Sequence, residues 1–284
     1  MKLLNRWVLG GLTLALALSL CAGPADAASK KKKKKEEMKR EVHHALMESR
    51  GLMPIAGLNI SGKPGYFFAD TASVLNNGQL AGAAHLTFDT WGNQFQVPFG
   101  VSYGITDKIT VNVNTAFYSV SGGSGLNYLG FGGKYGFGQV LKDSKLALNI
   151  AAGLDFAVGP LSNSLGTGIF GFDPYGVATL TFPDGLQLNG KLGLYIQTYN
   201  FGGFSGSWSY FQLDLGVAYP FDKDLTGIAE LDTNGVVVAG GVGGTPLIVG
   251  IRTGHDVQLQ AFGGLDLGGT VGLLIGGGVV LLSE

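Results

Sequence analysis

From about Gln79 onward, apolar and polar or small residues alternate with a period of two. Phe95, Val97, Phe99, Val101 and Tyr103 alternate with Gln96, Pro98, Gly100 and Ser102. Ile109, Val111, Val113, Thr115 and Phe117 then alternate with Thr110, Asn112, Asn114 and Ala116. Leu146, Leu148, Ile150, Leu154 and Phe156 share one face, opposite Asn149, Gly153 and Asp155. Gln187, Asn189 and Lys191 form the polar face of 186–196, and Gln212 and Asp214 that of 211–219. Such alternation marks strands with two unlike faces. The segments are roughly 9 to 14 residues long, the reach a tilted strand needs to cross a bilayer. The pattern predicts about 12 strands, at 79–90, 94–104, 109–120, 126–137, 146–158, 175–183, 186–199, 209–219, 225–233, 245–253, 257–266 and 270–282.

The connections add a second rhythm. Every other one is compact and contains Asp: 105–108, 139–145, 183–185, 220–224 and 254–256. The intervening connections, 121–125, 159–174, 200–208 and 234–244, are rich in Gly and Ser. Short periplasmic turns alternating with longer outer loops characterise bacterial transmembrane barrels. The expectation is therefore an all-β, antiparallel, up-and-down transmembrane barrel in the bacterial outer membrane, with both termini periplasmic.

Composition separates this reading from a soluble β-sandwich, whose strands also alternate. Charged residues make up 14% of the chain, against a usual value of about 25%. The less apolar face of each strand carries Gly, Asn, Gln, Thr and Ala with few charges, too few for a solvated exterior. Beyond the N-terminus there is no unbroken apolar run of the length a membrane helix requires. The longest candidate, Val236 to Ile251, is broken by glycines and Pro246.

Residues 1–27 read as a secretory signal peptide. Lys2 and Arg6 precede the apolar run from Trp7 to Leu20, and Ala25-Asp26-Ala27 offers small-x-small cleavage. Cys21, the only cysteine, lies within this segment, and its lipidation is a minor alternative. Residues 28–50 form a tail containing Lys30 to Lys35. Met38, Val42, Ala45 and Leu46 have helical spacing, so the tail reads as a basic amphipathic helix or as a solvated, disordered extension. Charge is strongly segregated: Gly51 to Glu284 holds 8 basic and 15 acidic residues, a net of −7. The expected domains are 1–27, 28–50, a pre-barrel segment over 51–78, and the barrel over 79–284.

Two stretches carry a family resemblance. Thr71 to Leu80 (TASVLNNGQL) resembles the pre-barrel segment of bacterial outer-membrane transporter-like barrels, including the phenol-degradation MetA-pathway type. Phe99 to Ile109 (FGVSYGITDKI) resembles their strand, tight turn and following strand. The resemblance implies an outer-membrane location and passage of small, including apolar, compounds. It brings no catalytic residues.

The strand phase aims a sparse set of charged or titratable side chains at the lumen: His85, Asp89, Lys134, Asp155, Lys191, Asp214, Glu230, Asp232 and Arg252. They fit a weakly cation-preferring or neutral-solute pore, or equally a lumen closed by paired charges. His85 and Asp89 lie four residues apart on one strand, roughly 13 Å at the usual rise, too far for a dyad. The remaining histidines, His43, His44 and His255, fall in the tail and in a turn. No activated nucleophile is legible. The Gly-rich runs lack a following helix and a Lys-Ser/Thr pair, so they are not phosphate loops.

The expectation is a passive channel or transporter for small molecules, with no enzyme activity, cofactor, metal or nucleic-acid partner. A plugged structural or tethering barrel is the alternative, and an outer-membrane lipid hydrolase ranks below both. The expected partners are outer-membrane lipids, the barrel-assembly machinery and, through Lys30 to Lys35, anionic envelope components.

Overall fold

The computed structural model describes residues 57–59, 61–90, 93–120, 123–143, 146–159, 169–201, 204–222, 224–232, 246–266 and 272–283. The segment expected to be a signal peptide, Cys21 within it, and the Lys-rich stretch 28–50 lie outside them.

Two short strands come first: β1 (Gly57–Leu58) pairs antiparallel with β2 (Pro64–Gly65). Twelve longer strands follow. They are β3 (Leu80–Asp89), β4 (Gln94–Thr106), β5 (Ile109–Val120), β6 (Gly123–Asp143), β7 (Leu146–Gly159) and β8 (Ile169–Thr181). Next come β9 (Gln187–Phe201), β10 (Phe204–Pro220), β11 (Leu225–Asp232), β12 (Pro246–Thr253), β13 (Val257–Asp266) and β14 (Gly272–Leu282). Each pairs antiparallel with its neighbour in sequence, and β14 returns to β3 from Leu274↔Asp89 to Leu282↔Ala81. Closure removes every sheet edge, which a strand protein in lipid requires.

The twelve-strand barrel agrees with the expectation from periodicity, but three strands begin earlier than expected. β6 starts at Gly123 and runs on to Asp143, β8 starts at Ile169, and β10 starts at Phe204. The Gly- and Ser-rich stretches 121–125 and 200–208 are therefore largely ladder, not loop. Where a hairpin needs no lipid-facing side chains, backbone pairing alone sustains it, and apolar alternation no longer marks it. Pro174, expected in a loop, sits within β8. It lacks an N–H, and the β8–β9 ladder pairs Phe172 with Ile196 and resumes at Tyr175 with Gly193.

The outer face is apolar around the barrel. Leu86, Phe99, Val113, Phe131, Val158, Phe170, Leu192, Leu213, Val249, Leu259 and Ile275 are exposed, one from each of eleven strands. A continuous apolar exterior of this extent belongs against lipid. Tyr135 with Phe137 and Tyr219 with Phe221 form edge-on ring pairs at 5.1 and 5.6 Å near the rim that carries the short turns. The two ends of the barrel meet at that rim: the Ser283 amide donates to the Leu80 carbonyl at 2.8 Å.

Candidate functional site

The lumen is filled by the segment that precedes the barrel. Leu58, Asn59, Tyr66, Phe67, Asp70, Thr71 and Leu75 are all almost fully buried, and the segment packs against strands around the wall. Asn59 organises the turn of this plug. Its Oδ1 accepts from the Ser61 and Lys63 amides, both at 3.0 Å, and its Nδ2 donates to the Phe68 carbonyl at 3.1 Å. An Asn side chain satisfying nearby backbone groups stabilises a compact turn without sheet or helix. Gly65 also bridges to Asp70, so the chain doubles back before it enters β3.

The wall makes room for the plug with glycine. A Cβ on Gly104 would stand 1.9 Å from the Asn76 carbonyl oxygen, and one on Gly100 would stand 2.3 Å from that of Ser61. Only glycine permits so close a backbone approach.

Charged wall residues grip the plug through its backbone. The Glu230 carboxylate accepts from the consecutive amides of Phe67 (2.8 Å) and Phe68 (3.0 Å). Arg252 donates to the carbonyls of Gly65 (3.0 Å) and Tyr66 (2.7 Å). Lys134 donates to Pro64 (2.9 Å) and Thr71 (2.8 Å). Thr179 accepts from the Ala72 amide at 2.9 Å, Thr110 from the Leu75 amide at 2.7 Å, and Asn189 donates to the Asp70 carbonyl at 2.7 Å. Bonds to charged groups are the stronger kind, and burial makes leaving them unmade costly.

A second group is ionic. Lys63 Nζ lies 2.7 Å from Asp155 and 3.1 Å from Asp70. Lys191 Nζ lies 3.3 Å from both Asp70 and Asp173 and 3.8 Å from Asp214. The Tyr175 ring is shared by both ammonium groups, 4.6 Å from Lys191 and 5.5 Å from Lys63. Burial alone would raise the Asp70 carboxyl, but Lys63, Lys191 and Lys134 outweigh it and hold that group well below the usual carboxylate range. The Gln212 amide, oriented with its nitrogen toward Asp173, donates to that carboxylate at 3.1 and 3.2 Å.

Of the residues singled out by strand phase, Lys134, Glu230 and Arg252 hold the plug backbone. Asp155, Lys191 and Asp214 belong to the ionic group. Asp232 is buried as the cross-strand partner of Asp214. His85 lies apart from both, its Nε2 2.9 Å from Gln260 Oε1 while Gln260 Nε2 donates to the Leu58 carbonyl at 3.1 Å. Asp89 is half-buried at the end of β3, opposite Gln94.

Strand phase did not single out Lys63, Asp70, Asp173 or Tyr175. The first two precede the barrel and Asp173 was assigned to a loop. Tyr175, the first residue of the strand expected over 175–183, is buried in the lumen. Tyr175 shares its phase with Val177 and Thr179, and extending β8 back to Ile169 puts Asp173 on the same inward face.

Beside the Lys63–Asp155 pair lies a cavity of about 170 Å³, toward the rim where β5 passes into β6 and β7 into β8. Tyr128, Asp173, Tyr195 and Gln212 also line it.

No protein-family model and no curated protein matches the chain. Solved structures match its fold. The NanC porin aligns over 72% of this chain and 100% of its own, at 10% identity and a TM-score of 0.54. The COG4313 outer membrane channel from Pseudomonas putida F1 aligns over 74% of this chain and 97% of its own, at 14% identity and a TM-score of 0.52. Outer membrane phospholipase A from Escherichia coli aligns over 72% of this chain and 90% of its own, at 11% identity and a TM-score of 0.43, too remote to bear on chemistry. At these identities the likeness is one of architecture: this chain has the barrel fold that outer-membrane channels use.

Proposed function

We propose that the chain is a passive outer-membrane channel for small solutes, closed at rest by its own residues 57–78. One observation carries the reading: the wall behind the plug is polar. Asn112, Asn114, Gln187, Asn189, Gln212, Gln258 and Gln260 are buried there on the inward face. A barrel filled permanently would be expected to line its lumen with apolar side chains, because buried polar groups are costly without partners. Besides the apolar contacts of Tyr66 and Phe67, the plug and wall meet through hydrogen bonds and ion pairs, and water can replace a hydrogen bond at small net cost when the plug moves.

Within this reading the short-turn rim and both termini face the periplasm, and Lys30 to Lys35 have anionic envelope components as partners. The resemblance to the MetA-pathway barrels favours small organic solutes. The chain is not an enzyme in this reading, since His85 bonds to an amide and not to a nucleophile.

Planar-bilayer conductance of the refolded mature chain tests the proposal. The intact chain should show rare or small openings. A Lys134→Met/Glu230→Gln double variant, shown to be folded by heat-modifiable gel mobility, should open steadily. If the folded double variant stays silent, the barrel is a structural or tethering element and not a channel.

A further inference from the structure

The cavity above the plug has an unusual floor. Asp155 Oδ2 holds the Lys63 ammonium at 2.7 Å, while Asp155 Oδ1 is buried without a hydrogen-bond partner among the described residues. Asp173 stands directly across the β7–β8 ladder from Asp155. Like charges placed opposite each other on one sheet face are destabilising unless a cation lies between or beside them. Tyr175 closes the arrangement from below: it is buried, its ring faces the Lys63 and Lys191 ammonium groups, and its hydroxyl has no hydrogen-bond partner among the described residues. A carboxylate, a second carboxylate and an aromatic face together form the recognition chemistry of an organic ammonium ion.

Lys63 belongs to the plug, not the wall. Every other member of this arrangement belongs to the wall and stays when the plug leaves. We propose that Asp155, Asp173 and Tyr175 form a wall subsite for the ammonium group of a cationic organic solute, occupied in the closed channel by the Lys63 ammonium. The plug thus closes the channel with an imitation of its cargo. The adjoining cavity receives the rest of the solute, with the Tyr128 and Tyr195 rings as its apolar contacts. Because solute and Lys63 need the same carboxylate, solute binding favours the open state, as any ligand selecting one of two conformations does. This inference rests on the channel reading above and names its substrate class.

The test is calorimetric titration of n-butylammonium into the full mature chain refolded in detergent, at fixed ionic strength. Lys63→Met removes the internal competitor and should tighten binding by about tenfold. Adding Asp155→Asn to that variant should abolish binding, and Asp155→Glu should restore part of it. Equal affinities for wild type and Lys63→Met would overturn the proposal. So would retained binding in Lys63→Met/Asp155→Asn, or equal competition by potassium at matched ionic strength. The Asp155→Glu variant, with gel mobility, separates loss of the subsite from loss of the fold. If the loosened barrel conducts but Lys63→Met binds no butylammonium, this inference fails and the channel reading stands. If butylammonium binds as described but no variant conducts, the channel reading fails and the subsite stands.

Discussion

The two sides of the lumen hold the same plug by different means. On the β10–β14 side, Tyr66 and Phe67 pack among Ala218, Ile248, Phe262 and Leu274, with Glu230 and Arg252 bonded to the intervening backbone. On the β6–β10 side the contacts are ion pairs shared among Lys63, Asp70, Lys191, Asp155, Asp173 and Asp214. The first side is built by shape, and each lost group leaves a void or an orphaned amide. The second is built by charge, and each lost group leaves others able to take over. A plug that stays seated yet can be released benefits from both: one side fixes position, and the other exchanges partners.

The sharpest way to break the comparison is Phe67→Ala. Phe67 is fully buried and lies 5.1 Å from the Phe262 ring. Its truncation should lower stability toward urea by about 3–5 kcal/mol. Glu230→Gln keeps the shape but removes the anionic acceptor from two amides, and should cost about 1.5–3 kcal/mol. Lys63→Met should cost less, about 1–2 kcal/mol, because Asp70 retains Lys191 and the remaining Asp155 lies beside the cavity. If Lys63→Met proves as damaging as Phe67→Ala, the ionic side is as rigid as the apolar one and the contrast is lost. Tyr66→Phe removes a single 3.4 Å bond to Gln187 and should cost under about 1 kcal/mol.

The smallest effect at neutral pH concerns Asp70. Its folded pKa lies below its unfolded value, so the unfolded chain takes up the proton first as pH falls. Its contribution is complete above the ordinary carboxylate range, about pH 4, and is lost only as pH drops through the folded value. Between pH 5 and 8 it should therefore add no slope to urea midpoints. Below about pH 4 the wild type should lose stability, and Asp70→Asn should flatten that limb.

The barrel was legible because lipid on one side and a polar lumen on the other force a strict period of two at membrane-crossing length. The plug was not. Residues 57–78 have no helical or strand period, and they read only as a segment preceding the barrel. Their order comes from wall side chains bonded to backbone carbonyls and amides, which leave no mark in the sequence. Lys134, Glu230 and Arg252 were visible as inward charges, but strand phase cannot say whether such a charge faces water or a peptide group. Gly100 likewise reads as a small lumen residue, although its smallness serves the carbonyl of Ser61, as that of Gly104 serves the carbonyl of Asn76.

The plug also bears on how the barrel is completed. Its Leu58 and Leu75 cluster with Ala81 and Ala83 of β3 and Val280 of β14, the first and last strands of the wall. They cover the inside of the seam where the sheet closes on itself. Seam formation joins strands almost the whole barrel apart in sequence, the most entropically demanding pairing in the molecule. An N-terminal segment already lying against β3 presents the arriving β14 with a finished apolar surface. Closing the circle and seating the plug thus bury the same apolar surface, and the residues that fill the lumen also line the seam between the first and last strands.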